Sequence, residues 1–149
     1  MFRRLLGISK TRFGTILEQH TSPFTASEYK VGVPLGKRSP NGGYRLRAET
    51  DRGEMRFLDV NLTSNGDLVI RGHDLGAGVS DVFGSGMDEY EWREIIRAPH
   101  FADLRRVLDV PNGDLLHGIT SRYAGKASYD FEERIRGSGI PVELETWLR

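Results

Sequence analysis

The chain has 149 residues, the size of one domain, and at that length a fold buries roughly 68–70% of its unfolded surface, enough for a core without staples. Its 21 basic and 21 acidic side chains cancel, so no global charge draws it to nucleic acid or anionic lipid. It has no cysteine, which excludes disulfides, thiolate nucleophiles and zinc–sulfur sites and makes a reducing cytoplasm the expected compartment.

Met1-Phe2-Arg3-Arg4-Leu5-Leu6-Gly7-Ile8 begins like a secretion signal, but Lys10 and Arg12 end the apolar run too early. No stretch approaches the ~20 apolar residues of a membrane span. Residues 1–40 read as the least regular part, with short strands expected at Thr15–Gln19 and Glu28–Val33 and a loop at Arg38-Ser39-Pro40-Asn41-Gly42-Gly43. From 44 to 97 the pattern alternates with period two, the mark of half-buried strands. Tyr44, Leu46 and Ala48 should share one face and Arg45, Arg47 and Glu49 the other. A second strand over Met55–Leu62 groups Leu58, Val60 and Leu62, and Asn65-Gly66 turns the chain into Leu68-Val69-Ile70 as a hairpin.

Gly72-His73-Asp74-Leu75-Gly76-Ala77-Gly78 should break that strand, with Asp74 capping a short helix that ends near Phe83. Asp88–Arg97 alternates again: Tyr90, Trp92, Glu94 and Ile96 take one side, Glu89, Glu91, Arg93 and Arg97 a charged, solvated side. The period then lengthens to 3.6 over 99–139, and three helices are predicted. Pro99 opens the first, with Leu104 and Leu108 on its stripe; the second lies near Gly113–Tyr123; Ser128 caps a third that Gly137 or Gly139 ends. A final strand occupies 140–148, at an edge because of Pro141. Strands first and helices second predict one α+β domain over 1–149, a mainly antiparallel sheet with about three helices packed on it.

The candidate chemistry is sparse. The spacing of Gly72, Gly76 and Gly78 fits neither the P-loop nor the dinucleotide fingerprint. Gly84-Ser85-Gly86 lacks the full nucleophile elbow. His20, His73, His100 and His117 have no metal-ligand spacing, so neither metal nor cofactor is expected. His73-Asp74 is the one pair that looks like an acid/base unit, although neighbours on an extended chain point apart. Charge is segregated: residues 37–56 carry six basic and three acidic groups, residues 74–94 six acidic and one basic. Opposite patches of this kind speed association with a partner, and aromatics beside charge are common at binding hot spots.

From Gly66 to Trp147 the chain resembles a group of small uncharacterised bacterial proteins. The resemblance rests on Gly66-Asp67-Leu68-Val69-Ile70, Asp74-Leu75-Gly76, Tyr90-Glu91-Trp92, Arg122-Tyr123-Ala124-Gly125 and Gly139-Ile140-Pro141-Val142-Glu143 with Trp147. It implies a role as partner or antidote in toxin–immunity gene pairs. The place of His73 is commonly a glutamine in that group, which argues against a catalytic imidazole. The leading expectation is therefore a non-catalytic protein-binding module that meets another protein through Asp88, Glu89, Glu91, Trp92 and Arg93. The alternatives are a small hydrolase or nucleotide-acting enzyme using His73, Asp74 and a nearby carboxylate, and a homo-oligomer subunit joined through the last strand.

Overall fold

The computed structural model describes residues 35–36 and 43–149. The strands expected at 15–19 and 28–33, the loop over 38–42, the signal-like start and His20 lie outside the described residues. Five strands, β1 (Tyr44–Asp51), β2 (Glu54–Leu62), β3 (Leu68–Leu75), β4 (Glu89–Ile96) and β5 (Glu143–Leu148), form one antiparallel sheet in the order β1-β2-β3-β4-β5. Among the described residues four helices complete the α+β fold: α1 (Ala77–Phe83), α2 (Phe101–Leu108), α3 (Leu115–Tyr123) and α4 (Ser128–Gly137). Among the described residues no helix is long and apolar enough to cross a membrane.

The turns follow from residues that tolerate positive φ. Arg52 and Gly53, at φ 50° and 81°, make the two-residue link between β1 and β2 that matches strand twist. Gly66, at φ 83°, closes the predicted β2–β3 hairpin, where its N–H donates to the Thr63 carbonyl at 2.9 Å. The Asp67 carboxylate at the end of this loop accepts from the Ala98 N–H at 2.9 Å and from Arg97 at 3.0 Å. These bonds, the backbone one foremost, hold its pKa below the usual carboxylate value. They also tie the hairpin tip to the 3-10 turn Ala98–His100, which contains Pro99 and leads into α2.

The core lies between the sheet and the helices. Leu58, Val60, Leu68, Ile70 and Ile96 meet Leu104, Leu108, Ile119, Phe131 and Ile135 there. Each such side chain stabilises the fold by about 1.5–3 kcal/mol through removal from water. The Tyr123 hydroxyl donates to the Leu108 carbonyl at 2.6 Å and locks α3 to the end of α2.

Several local expectations are corrected. β3 does not break at Gly72 but runs through His73 and Asp74 to Leu75. The glycine serves close packing: a Cβ there would lie 1.8 Å from the Trp92 ring. Asp74 caps nothing, since Gly76 precedes α1 and Glu54 instead accepts from the Gly78 N–H at 2.7 Å. Ser128 is the first residue of α4 rather than its cap, because the 3-10 turn Gly125–Ala127 feeds straight into the helix. Asp114 caps α3 by accepting from the His117 N–H at 3.0 Å. After Ile140-Pro141-Val142 the last strand starts at Glu143, opposite Ile95.

The largest correction is in β1. The register shifts between Arg45 and Arg47, leaving Leu46 as an extra residue. The bulge turns both Leu46 and Arg47 toward the helices and reverses the alternation beyond them. Ala48 is therefore exposed, while Arg45 and Arg47, expected in solvent, are buried. Leu62 keeps its predicted face but lies past the core and is exposed.

Candidate functional site

The sheet separates two clusters of charge that are intermixed in sequence. Away from the helices, His73 stands directly opposite Glu91 across the β3–β4 pair, with Glu89 two residues along β4 on the same face. His73 Nε2 is 2.8 Å from Glu89 Oε1 and 3.9 Å from Glu91 Oε1. Arg149 bridges the two carboxylates from beyond β5, donating to Glu91 at 2.7 Å and lying 3.6 Å from Glu89. Glu91 is only 1% exposed at its side chain and Glu89 22%. Burial lowers the His73 pKa, and the nearby Glu89 carboxylate opposes that shift. Phe57 and Trp147 make a small apolar cluster with Met55 and Leu75 beside these groups, the Phe57 ring 6.4 Å from the imidazole. Arg45 and Asp59 form a further buried pair on this side, at 2.5 and 3.2 Å.

Farther along β4 and β5 the charges pair in a ladder that reaches the surface. Arg93 bonds Glu145, its partner directly across the strands, and Arg97 bonds Glu143 at 2.6 and 2.9 Å. The charged side of β4 is thus paired within the fold, buried at one end and solvated at the other.

On the helix side, Asp74 lies between Arg56 on β2 and Tyr90 on β4. Its side chain is buried, and Oδ1 has no hydrogen-bond partner. Burial raises its pKa to about 7, with Arg56 and Arg47 opposing the shift and Glu132 and Glu54 reinforcing it. Around it Arg47 donates to Ser128 at 2.9 Å and to Glu132 at 2.5 Å, and its guanidinium lies 3.6 Å from the Tyr129 ring centre. Tyr129 donates to Glu49 at 2.6 Å. This network joins β1 to the first turn of α4.

The predicted site residues divide accordingly. His73 and Asp74 do not form a unit, because adjacent strand residues point to opposite faces. His73 meets Glu89 and Glu91 instead. Asp88 is exposed, and Arg93 and Glu89 are partly so, whereas Glu91 is buried in ion pairs and Trp92 packs in the core against Tyr90, ring centres 5.3 Å apart. Sequence reasoning missed the convergence of His73, Glu89 and Glu91, whose donor atoms lie within 4.8 Å of one another. The signal was the register: a histidine on one strand opposite a Glu-x-Glu on the next. Arg47, Arg149 and Tyr129 were missed as well, since each reaches its partners across elements far apart in sequence. No protein-family model, curated protein or solved structure matches the chain.

Proposed function

We propose that the chain is a small, non-catalytic protein-binding module of immunity type, which meets its partner through the solvated charge ladder of β4 and β5. The observation that carries this reading is the pairs Arg93–Glu145 and Arg97–Glu143, with the exposed Asp88 and partly exposed Glu89 at the other end of β4. Exposed pairs add only about 0–1 kcal/mol each to stability, so the ladder is not what holds the sheet together. It presents fixed charges of alternating sign, a pattern suited to steering and registering a complementary surface. The partner surface is shorter than the whole strand: Asp88, Glu89 and Arg93 belong to it, while Glu91 and Trp92 act inside the protein.

The test is co-expression with the product of the neighbouring reading frame, followed by titration of the purified pair. Charge reversal of Arg93 and Arg97 should weaken a stoichiometric complex by tenfold or more, about 1.4 kcal/mol or above. Reversal of Arg134 on α4 should leave it unchanged. Equal binding by both variants, or no complex, would overturn the reading. The second reading, an acid/base enzyme, is favoured by the 2.8 Å contact between His73 and Glu89. Turnover of a hydrolysable substrate, lost in His73→Ala, would establish it in place of the first.

A further inference from the structure

We propose that His73, Glu89 and Glu91 form a binding site for one divalent transition-metal ion of the zinc class. This goes beyond the binding reading and does not depend on it. One imidazole nitrogen and two carboxylate oxygens are a donor set that suits zinc and its neighbours, for which borderline nitrogen ligands are preferred over an all-oxygen shell. Ligands about 2.0–2.2 Å from a zinc ion stand roughly 3.4 Å apart at tetrahedral angles, between the observed separations of 2.8 and 3.9 Å from the imidazole nitrogen to the two carboxylates. All three residues are held by the paired backbones of β3 and β4, elements that place ligands more accurately than loops do.

Two further features point the same way. The Arg149 guanidinium already bridges both carboxylates, so the two are placed to share one cation. Its side chain is 47% exposed, which lets it swing outward and leave the carboxylates to a metal without rebuilding the sheet. Phe57 and Trp147 supply the apolar surroundings that strengthen metal–ligand attraction. Glu89, the most exposed of the three, marks the side from which an ion enters. Metal binding and the Arg149 ion pairs are then mutually exclusive, and Arg149 competes for the carboxylates.

The full chain, stripped with EDTA, should take up one equivalent of Zn²⁺ in calorimetric titration. Co²⁺ in its place should give visible absorption typical of low coordination number. Glu89→Gln and His73→Gln should weaken uptake about tenfold or more, the least expected for loss of a direct ligand. Arg149→Ala should strengthen it by removing the competing cation. Glu91→Gln perturbs a buried group and is the variant most prone to misfold, so Glu89, the most exposed of the three, decides the matter. No uptake by the wild-type chain, or uptake unchanged in Glu89→Gln and His73→Gln, would overturn the proposal and in the second case place the ion on histidines elsewhere. Weaker binding by Arg149→Ala would overturn the competition.

Discussion

His73 and Asp74 are neighbours in β3, both buried, and they meet opposite fates because the strand turns one to each face of the sheet. His73 finds a carboxylate at 2.8 Å, while Asp74 keeps an unpartnered oxygen between two acidic neighbours and two arginines. Burial favours the neutral form of both, lowering the pKa of the imidazole and raising that of the carboxyl. Burial alone therefore does not define a site. What separates the two residues is pairing: His73 sits where donor atoms gather around a point, while Asp74 keeps a carboxyl that folds best with its proton on.

The strongest way to break this contrast is to remove a charge on the His73 face. Arg45→Met leaves Asp59, 2% exposed at its side chain, without its hydrogen-bonded guanidinium, with only the longer-range attraction of Arg71 beside it. It should cost about 3–5 kcal/mol in denaturant unfolding, the usual penalty for breaking a buried pair from one side. Arg45→Met with Asp59→Leu should recover most of that loss, since neither member of the bonded pair is then left charged without the other. If the double variant is as unstable as the single, packing rather than ion pairing holds that end of β1.

The two neighbours should also titrate in opposite senses, measured as thermal stability against pH in metal-free buffer. Asp74 binds its proton more tightly when folded, so its contribution is full below pH 3.8 and is lost as pH rises toward about 7. The loss is on the order of 2–4 kcal/mol. His73 binds its proton more weakly when folded, so its contribution is present above pH 6.5 and is lost as pH falls through its lowered pKa. Asp74→Asn should remove the downward slope with rising pH and be relatively more stable above pH 7. His73→Gln should remove the opposing slope and leave the Asp74 loss in plain view. Identical pH profiles for Asp74→Asn and wild type would mean that water reaches the carboxyl.

A smaller effect is expected at Gly72, one residue before this pair. Gly72→Ala drives a methyl into the Trp92 ring and should destabilise by about 1–3 kcal/mol, the range for overpacking. Gly72→Ala with Trp92→Leu should be less destabilised than the two single changes added together, because the smaller side chain opens the space the methyl needs. Strict additivity would show that strand β3 tolerates the glycine for another reason.

The strands were legible wherever alternation ran undisturbed, as in Asp88–Arg97, and the hairpin at Asn65-Gly66 was legible because few residue pairs satisfy its backbone. β1 was misread because one inserted residue inverts every later side chain, and nothing in Arg45-Leu46-Arg47 marks the insertion. Gly72 was misread as a break because a glycine that admits a tryptophan ring from the next strand looks, in sequence, like a glycine in a turn. The candidate site was half legible. The separation of His73 from Asp74 follows from strand geometry alone, but the approach of His73 to Glu89 requires the β3–β4 register.

The α+β class, the order of strands and helices and the faces of β4 follow from periodicities within a few residues. Which charges are buried, which carboxylates share a proton donor or a guanidinium, and which oxygen goes unpaired follow from no such local pattern. Those outcomes are set by cross-strand register and by side chains from distant segments, and electrostatic energy depends on separations in space that no local pattern encodes.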